Sequence, residues 1–180
     1  MASLKLEIVQ ELPFSSTAEE AFLNVLRTSD CLSRAFHRIT RSWGLTSTQY
    51  NVLRILRGAH PQGLTCSAIG SRMIAAEPDI TRLLARLKTL KLVEQHRDAQ
   101  DRRVVWTHIS KAGLKLLQEM DPVIRQFPGD MLEHLDSAEL AELIRLLELV
   151  RKPSEGQQTP ISCDGSKGAG QEVCAAPENL

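Results

Sequence analysis

Residues 98–110 read DAQDRRVVWTHIS: two aspartates and two arginines stand ahead of a run that alternates apolar with polar side chains. Two chemistries fit such a charged knot. In one, the charges pair across a surface turn, an arrangement that contributes roughly 0–1 kcal/mol. In the other, the loop is a finger that delivers a guanidinium to a narrow anionic groove. A carboxylate two residues earlier on the same strand face then holds the cation in a bidentate pair. Asp101-Arg102-Arg103 has that spacing. A second pair, Arg82 and Arg86, lies one helical turn apart next to Thr81, so one helix face carries both. Guanidinium and hydroxyl groups placed this way recognise phosphates and base edges. A solvated face of long side chains is the alternative reading. Asp79 and Glu77, just upstream, repel phosphate, although Asp79 can also accept a hydrogen bond from a cytosine amino group.

Bond-breaking chemistry finds no residues. There is no phosphate-binding glycine loop, no GxSxG, no HExxH and no paired carboxylate motif, and the acidic clusters sit at helix starts where capping explains them. His37, His60, His96, His108 and His134 lack the spacing of a metal site. The four cysteines, Cys31, Cys66, Cys163 and Cys174, are scattered without CxxC pairs. Reduced thiols are expected, with Cys31 and Cys66 as structural residues. Neither an enzyme, nor a cofactor, nor a metal is therefore expected. No apolar run approaches the length of a membrane span, and MASLKLEIVQELPF has no signal-peptide layout. A cytoplasmic protein with no membrane partner follows.

The elements that must position these residues are mainly helical. A capping box at Thr17-Ala18-Glu19-Glu20 opens a helix carrying Phe22, Leu26, Leu32, Phe36, Ile39 and Trp43, closed by Gly44. A second box at Thr46-Ser47-Thr48-Gln49 opens a helix with Tyr50, Leu53 and Leu56 on one stripe. Thr65 caps a short helix over 66–73. Pro78 sits in the first turn of the next, whose buried stripe is Ile80, Leu83, Leu84, Leu87 and Leu90. Two strands, 92–96 and 104–109, follow around the charged loop. Helix, turn, helix, hairpin is the layout of a winged helix. Ser110 then caps a helix that Pro122 kinks and Pro128-Gly129 breaks, and Asp136 opens the last one. The domain reading is an extension over 1–16, helical dimerisation regions over 17–45 and 111–152, a winged helix-turn-helix over 46–110 and a tail over 153–180. That tail is rich in Gly, Ser, Pro and Gln and is expected to be disordered. The terminal helices carry apolar stripes that a second copy would bury. Zero net charge hides an asymmetry: the tail has four carboxylates against Lys167 alone, so the remainder is net positive.

The segment from about residue 18 to 150 resembles the MarR (multiple antibiotic resistance regulator) family. The likeness is carried by Ile80-Thr81-Arg82-Leu83-Leu84-Ala85-Arg86-Leu87, Leu92-Val93, Asp98-Ala99-Gln100-Asp101-Arg102-Arg103 and Ile109-Ser110-Lys111-Ala112-Gly113. The resemblance implies a homodimeric DNA-binding regulator on a pseudopalindromic operator, by default a repressor. It makes Arg103 the wing arginine that enters the minor groove, with Asp101 as its partner and Arg97 or Arg102 at its flank. Asp79, Thr81, Arg82 and Arg86 fall to the major groove, and Thr65 and Ser67 to the phosphates. It also implies a small phenolic or lipophilic effector, for which Phe36, His37, Trp43 and Tyr50 are the candidate lining; core or surface packing is the alternative for each. A winged helix serving only protein interaction is the rival reading. The family usually has Gly at Lys91 and an acidic residue at Ala85. Lys91 must therefore strain its backbone or end its helix in another way.

Overall fold

The computed structural model describes residues 3–152; the tail, with Cys163 and Cys174, lies outside the described residues. Helix starts are set by short polar side chains that reach the first free N–H groups. Ser16 is extended, and its hydroxyl accepts from the Glu19 N–H at 3.1 Å, opening α2 (Thr17–Ser42). The cap expected at Thr17 thus falls one residue back, on Ser16, and the reciprocal bond from Glu19 to the cap's own N–H is not made. Thr17 is already helical, and the Glu19 carboxylate turns to the N–H and hydroxyl of Ser15 at 2.6 and 2.7 Å. A single-turn helix that the sequence reading did not anticipate, α1 (Leu4–Glu7), precedes it. At the far end of the chain the expected box is complete. Asp136 Oδ1 accepts from the Ala138 and Glu139 N–H groups at 2.8 and 2.9 Å, and Glu139 accepts from Asp136 N at 2.9 Å, opening α7 (Ser137–Val150).

Between them run α3 (Ser47–Gly58), β1 (Leu64–Thr65), α4 (Cys66–Gly70), α5 (Ile80–Thr89), β2 (Val93–Arg97), β3 (Val105–Ile109) and α6 (Lys111–Leu132). The hairpin expected over 92–109 is present. It gains a third strand, because Leu64 and Thr65 pair with Thr107 and Trp106 to give an antiparallel sheet of order β1-β3-β2. Two residues are too few to show an alternation, so sequence alone could not reveal β1. Two further corrections concern the helix-turn-helix. The first helix stops at Gly70 rather than 73, and the second starts after Pro78 rather than through it. Proline restricts the backbone of Glu77, and Asp79 is held at φ −130°, ψ 69° as the cap of α5.

The helix end at Lys91 resolves the family departure. Leu92 N–H donates to Leu87 O at 3.0 Å and Lys91 N–H to Lys88 O at 2.9 Å, a Schellman closure that requires φ > 0 at Lys91. Lys91 adopts it, at φ 59°. A β-carbon in that region costs about 1–2 kcal/mol. Lys91→Gly is therefore expected to stabilise the protein by about 1 kcal/mol, after Gly's own entropy is set against the relief. Thermal unfolding should show a midpoint raised by about 3 °C. An unchanged or lowered midpoint would mean that the lysine side chain makes a compensating contribution.

Helix α6 corrects the expected break. It runs through both Pro122 and Pro128 to Leu132. Proline's fixed φ is helical, so only the missing donor and ring crowding oppose continuation. Phe127, next to Pro128, packs its ring against Phe36 at 5.7 Å between centroids, tying that segment down.

The chain divides into two compact units. One holds α1, α2 and Met120–Glu133; the other holds α3 to Glu119, together with α7. The second contains most of the core: Val52, Leu53, Leu56, Ile69, Leu84, Leu87 and Leu117 are no more than 1% exposed. By contrast, α7 buries none of its residues, and Leu143, Ile144, Leu146, Leu149 and Val150 face outward. In the first unit Leu6, Val9, Leu12, Phe22 and Leu26 are at least half exposed. No described helix is long and apolar enough to cross a membrane.

Candidate nucleic-acid interface

The wing loop settles what its charges do. Asp98 stands one residue beyond β2 and takes three donors. Its Oδ1 accepts from the N–H groups of Gln100 and Asp101 at 2.8 and 3.0 Å, and its Oδ2 from the Trp106 indole N–H at 2.9 Å. The Asp101 N–H, then the indole, then the Gln100 N–H hold this carboxyl below the ordinary aspartate range, since each stabilises the charged form. Asp101 Oδ1 accepts the backbone N–H of Arg103 at 2.9 Å. The bidentate pair expected between Asp101 and the Arg103 guanidinium is not formed: the carboxylate lies two residues back in a tight turn, where the N–H is the nearer donor. The knot is therefore neither of the two simple arrangements. Its aspartates shape the backbone, and its arginines stay exposed without an ion-pair partner among the described residues.

Helix α5 is positioned by burial of Leu83, Leu84 and Leu87, which turns Thr81, Arg82 and Arg86 outward. Asp79, the acidic residue that complicated this face, accepts the Arg82 N–H at 2.8 Å and so caps the helix. Its charge complements the helix dipole. Thr65 likewise caps α4, its hydroxyl accepting from Ala68 N at 3.3 Å, while Ser67 stands exposed two residues on, within the first turn.

A groove of about 550 Å³ joins these elements, lined by Thr65 and Ser67 from the start of α4, Thr81 from α5 and Arg103 from the wing, with Cys66 and Gln95 between them. Four of the ten residues singled out in the sequence thus share one concavity. Arg82, Arg86, Arg97, Asp101 and Arg102 are exposed but do not line it, and Asp79 is occupied as a cap. Sequence reasoning missed Gln95, Cys66 and above all the Asp98–Trp106 pair. The DAQD turn did signal an aspartate bonding its own backbone, but nothing local identified the indole as a further donor.

The other candidates are placed as follows. Tyr50 is buried, Phe36 packs on Phe127, and His37 Nδ1 lies 3.5 Å from the Ser47 hydroxyl. Trp43 is half-buried. Cys66 is half-buried with its Sγ 3.9 Å from Thr81 Oγ1, whereas Cys31 is exposed on α2. The expectation that Cys31 is a structural thiol is accordingly withdrawn, since its position on α2 turns it to solvent.

Comparison with known proteins gives a consistent result. The MarR family model matches residues 43–104. A MarR transcription factor from Planctomyces limnophilus is 42% identical, with 76% of this chain and 99% of that one covered and a TM-score of 0.60. A mutant E. coli MarR complexed with operator DNA shares the fold at 20% identity, covering 84% of this chain and all of that one, with a TM-score of 0.67. An organohalide-sensing transcriptional regulator in its 2,4-dichlorophenol-bound form shares it at 15% identity, covering 79% of this chain and 86% of that one, with a TM-score of 0.70.

Proposed function

Because this chain belongs to the MarR family of winged-helix transcription regulators, we propose that it binds a pseudopalindromic operator as a homodimer and represses transcription by occupying a promoter. The observation that carries the reading is the groove that brings Thr65, Ser67 and Thr81 together with the wing residue Arg103. Thr81, Arg82 and Arg86 project from α5 toward the major groove, with Thr65 and Ser67 at phosphates. Arg103 enters the minor groove, where narrow A·T-rich DNA concentrates negative potential. Arg97 and Arg102 flank it, Asp101 sets the Arg103 backbone, and Asp79 sets the first turn of α5.

The exposed apolar residues of α1, α2 and α7 support a second copy as the partner that covers them. The solved regulator bound to dichlorophenol supports a small phenolic or lipophilic effector that releases the operator. The protein is read as acting in the cytoplasm, with its DNA. The test is binding of the purified protein to labelled genomic DNA fragments at about 50 and about 200 mM salt, since each phosphate contact adds about −0.9 to the slope of log K against log salt. A sequence-selective complex that weakens steeply with salt is the expected outcome. Absence of binding at the lower salt, with no effector or reductant restoring it, would transfer the chain to the interaction-module reading.

A further inference from the structure

We propose that Trp106 and Asp98 form a brace that positions the wing: the indole N–H, bonded to the Asp98 carboxylate across the sheet, holds the 98–103 loop so that Arg103 stays turned to the groove. Both are positioning residues acting through Arg103, and the inference rests on the DNA-binding reading given above.

The register makes the brace specific. Trp106 lies opposite His96 in the β2–β3 ladder, and the ladder ends at the Arg97–Val105 pair. Asp98 is therefore the diagonal neighbour of Trp106, at a separation that only a long side chain spans. The indole reaches it at 2.9 Å. Beyond the ladder, the loop is closed by Asp98 N–H to Val104 O and by Val104 N–H to Asp101 O, both at 2.9 Å. The same Asp98 carboxylate holds the N–H groups of Gln100 and Asp101. Asp101 in turn holds the N–H of Arg103. Trp106 thus connects a rigid strand to a chain of bonds that ends at Arg103. Alternation along β3 places Val105 and Thr107 on the sheet face that lines the groove, which Arg103 also lines from the loop, while Trp106, with the Asp98 carboxylate it bonds, lies on the other. The brace consequently shapes the loop without occupying the DNA-facing side. An arginine on a loop already ordered loses less freedom on binding than one on a mobile loop.

The test is Trp106→Phe, which removes the donor and keeps an aromatic ring, combined with Arg103→Ala in a double-mutant cycle. Operator affinity of Trp106→Phe alone should fall roughly fivefold, the net scale of one ordinary hydrogen bond, because the lost bond acts on binding only through the order of the loop. In the Arg103→Ala background the same change should have little effect. Equal losses in both backgrounds would overturn the proposal by making Trp106 a general stability residue. A second readout needs no DNA: backbone ¹⁵N relaxation across residues 99–103 should show lower order in Trp106→Phe and in Asp98→Ala than in the wild type. Unchanged order in both variants would also overturn the brace. If order falls but the wild type binds no DNA, the brace stands as a structural feature and its role in operator binding is overturned together with that reading.

Discussion

Arg103→Ala is expected to weaken binding to the selected operator by roughly tenfold to a hundredfold, the largest effect of any single exposed side chain. The guanidinium is exposed and unpaired among the described residues, so the substitution removes nothing that holds the folded protein together. What it removes is a planar cation presented at the edge of the groove shared with Thr65, Ser67 and Thr81. In a narrow minor groove that cation gains more than on open duplex, and the loss should be greatest on operators with an A·T-rich segment under the wing. The salt slope should shallow by about one contact. Arg103→Lys should recover part of the affinity only, because a strongly hydrated ammonium replaces a weakly hydrated planar fork. Fluorescence anisotropy at one fixed salt, with thermal unfolding as the control for folding, makes the measurement. Equal affinity of wild type and Arg103→Ala would return Arg103 to the role of an ordinary surface residue while leaving the α5 contacts standing.

Gly113→Ala should produce the largest loss of stability, about 3 kcal/mol, or a fall of about 9 °C in unfolding midpoint. A β-carbon at Gly113 would lie 2.4 Å from Leu92 O and 2.8 Å from Ile109 Cγ1. Leu92 O cannot simply retreat, since it accepts the Ser110 N–H at 3.0 Å. Ser110 itself is buried, donating its hydroxyl to Lys91 O at 2.7 Å and accepting from Gly113 N at 3.0 Å. Moving the first turn of α6 outward therefore breaks the junction where α5, β2, β3 and α6 meet. Gly129→Ala in the same helix is the control. Nothing lies within 4 Å of its added carbon, so the change should be neutral or stabilising by about 0.5–1 kcal/mol. Urea unfolding of both variants decides the matter. Matching stabilities would show that the close approach at Gly113 relaxes without loss.

These two expectations also mark how far residue patterns reach. Asp136 and Glu139 exchange their bonds within four residues, so the capping box could be read directly. Of the stripe expected on α5, Leu83, Leu84 and Leu87 are buried and Ile80 half-buried, whereas Leu90, at the helix end, is 49% exposed. The family's usual Gly at Lys91 left two outcomes open, a strained backbone or a different helix end, and the structure takes the first, at φ 59°. The ends of α2 and α5 were each misplaced where two neighbouring residues compete to cap. Ser16 took the place of Thr17, and Asp79 made Pro78 a residue outside the helix.

The sequence by itself determined the helical framework, the strands of the wing and the identity of the arginines that remain exposed, because each depends on periodicity and short-range hydrogen bonding. Tertiary structure alone decided the third strand, the passage of α6 through Pro128 beside the Phe36–Phe127 contact, and the partners of the two wing aspartates. A charged side chain has several donors within reach of its neighbours in sequence. Which of them it takes is set by the strand register that brings Trp106 diagonally across to Asp98, and that register exists only once the sheet has formed.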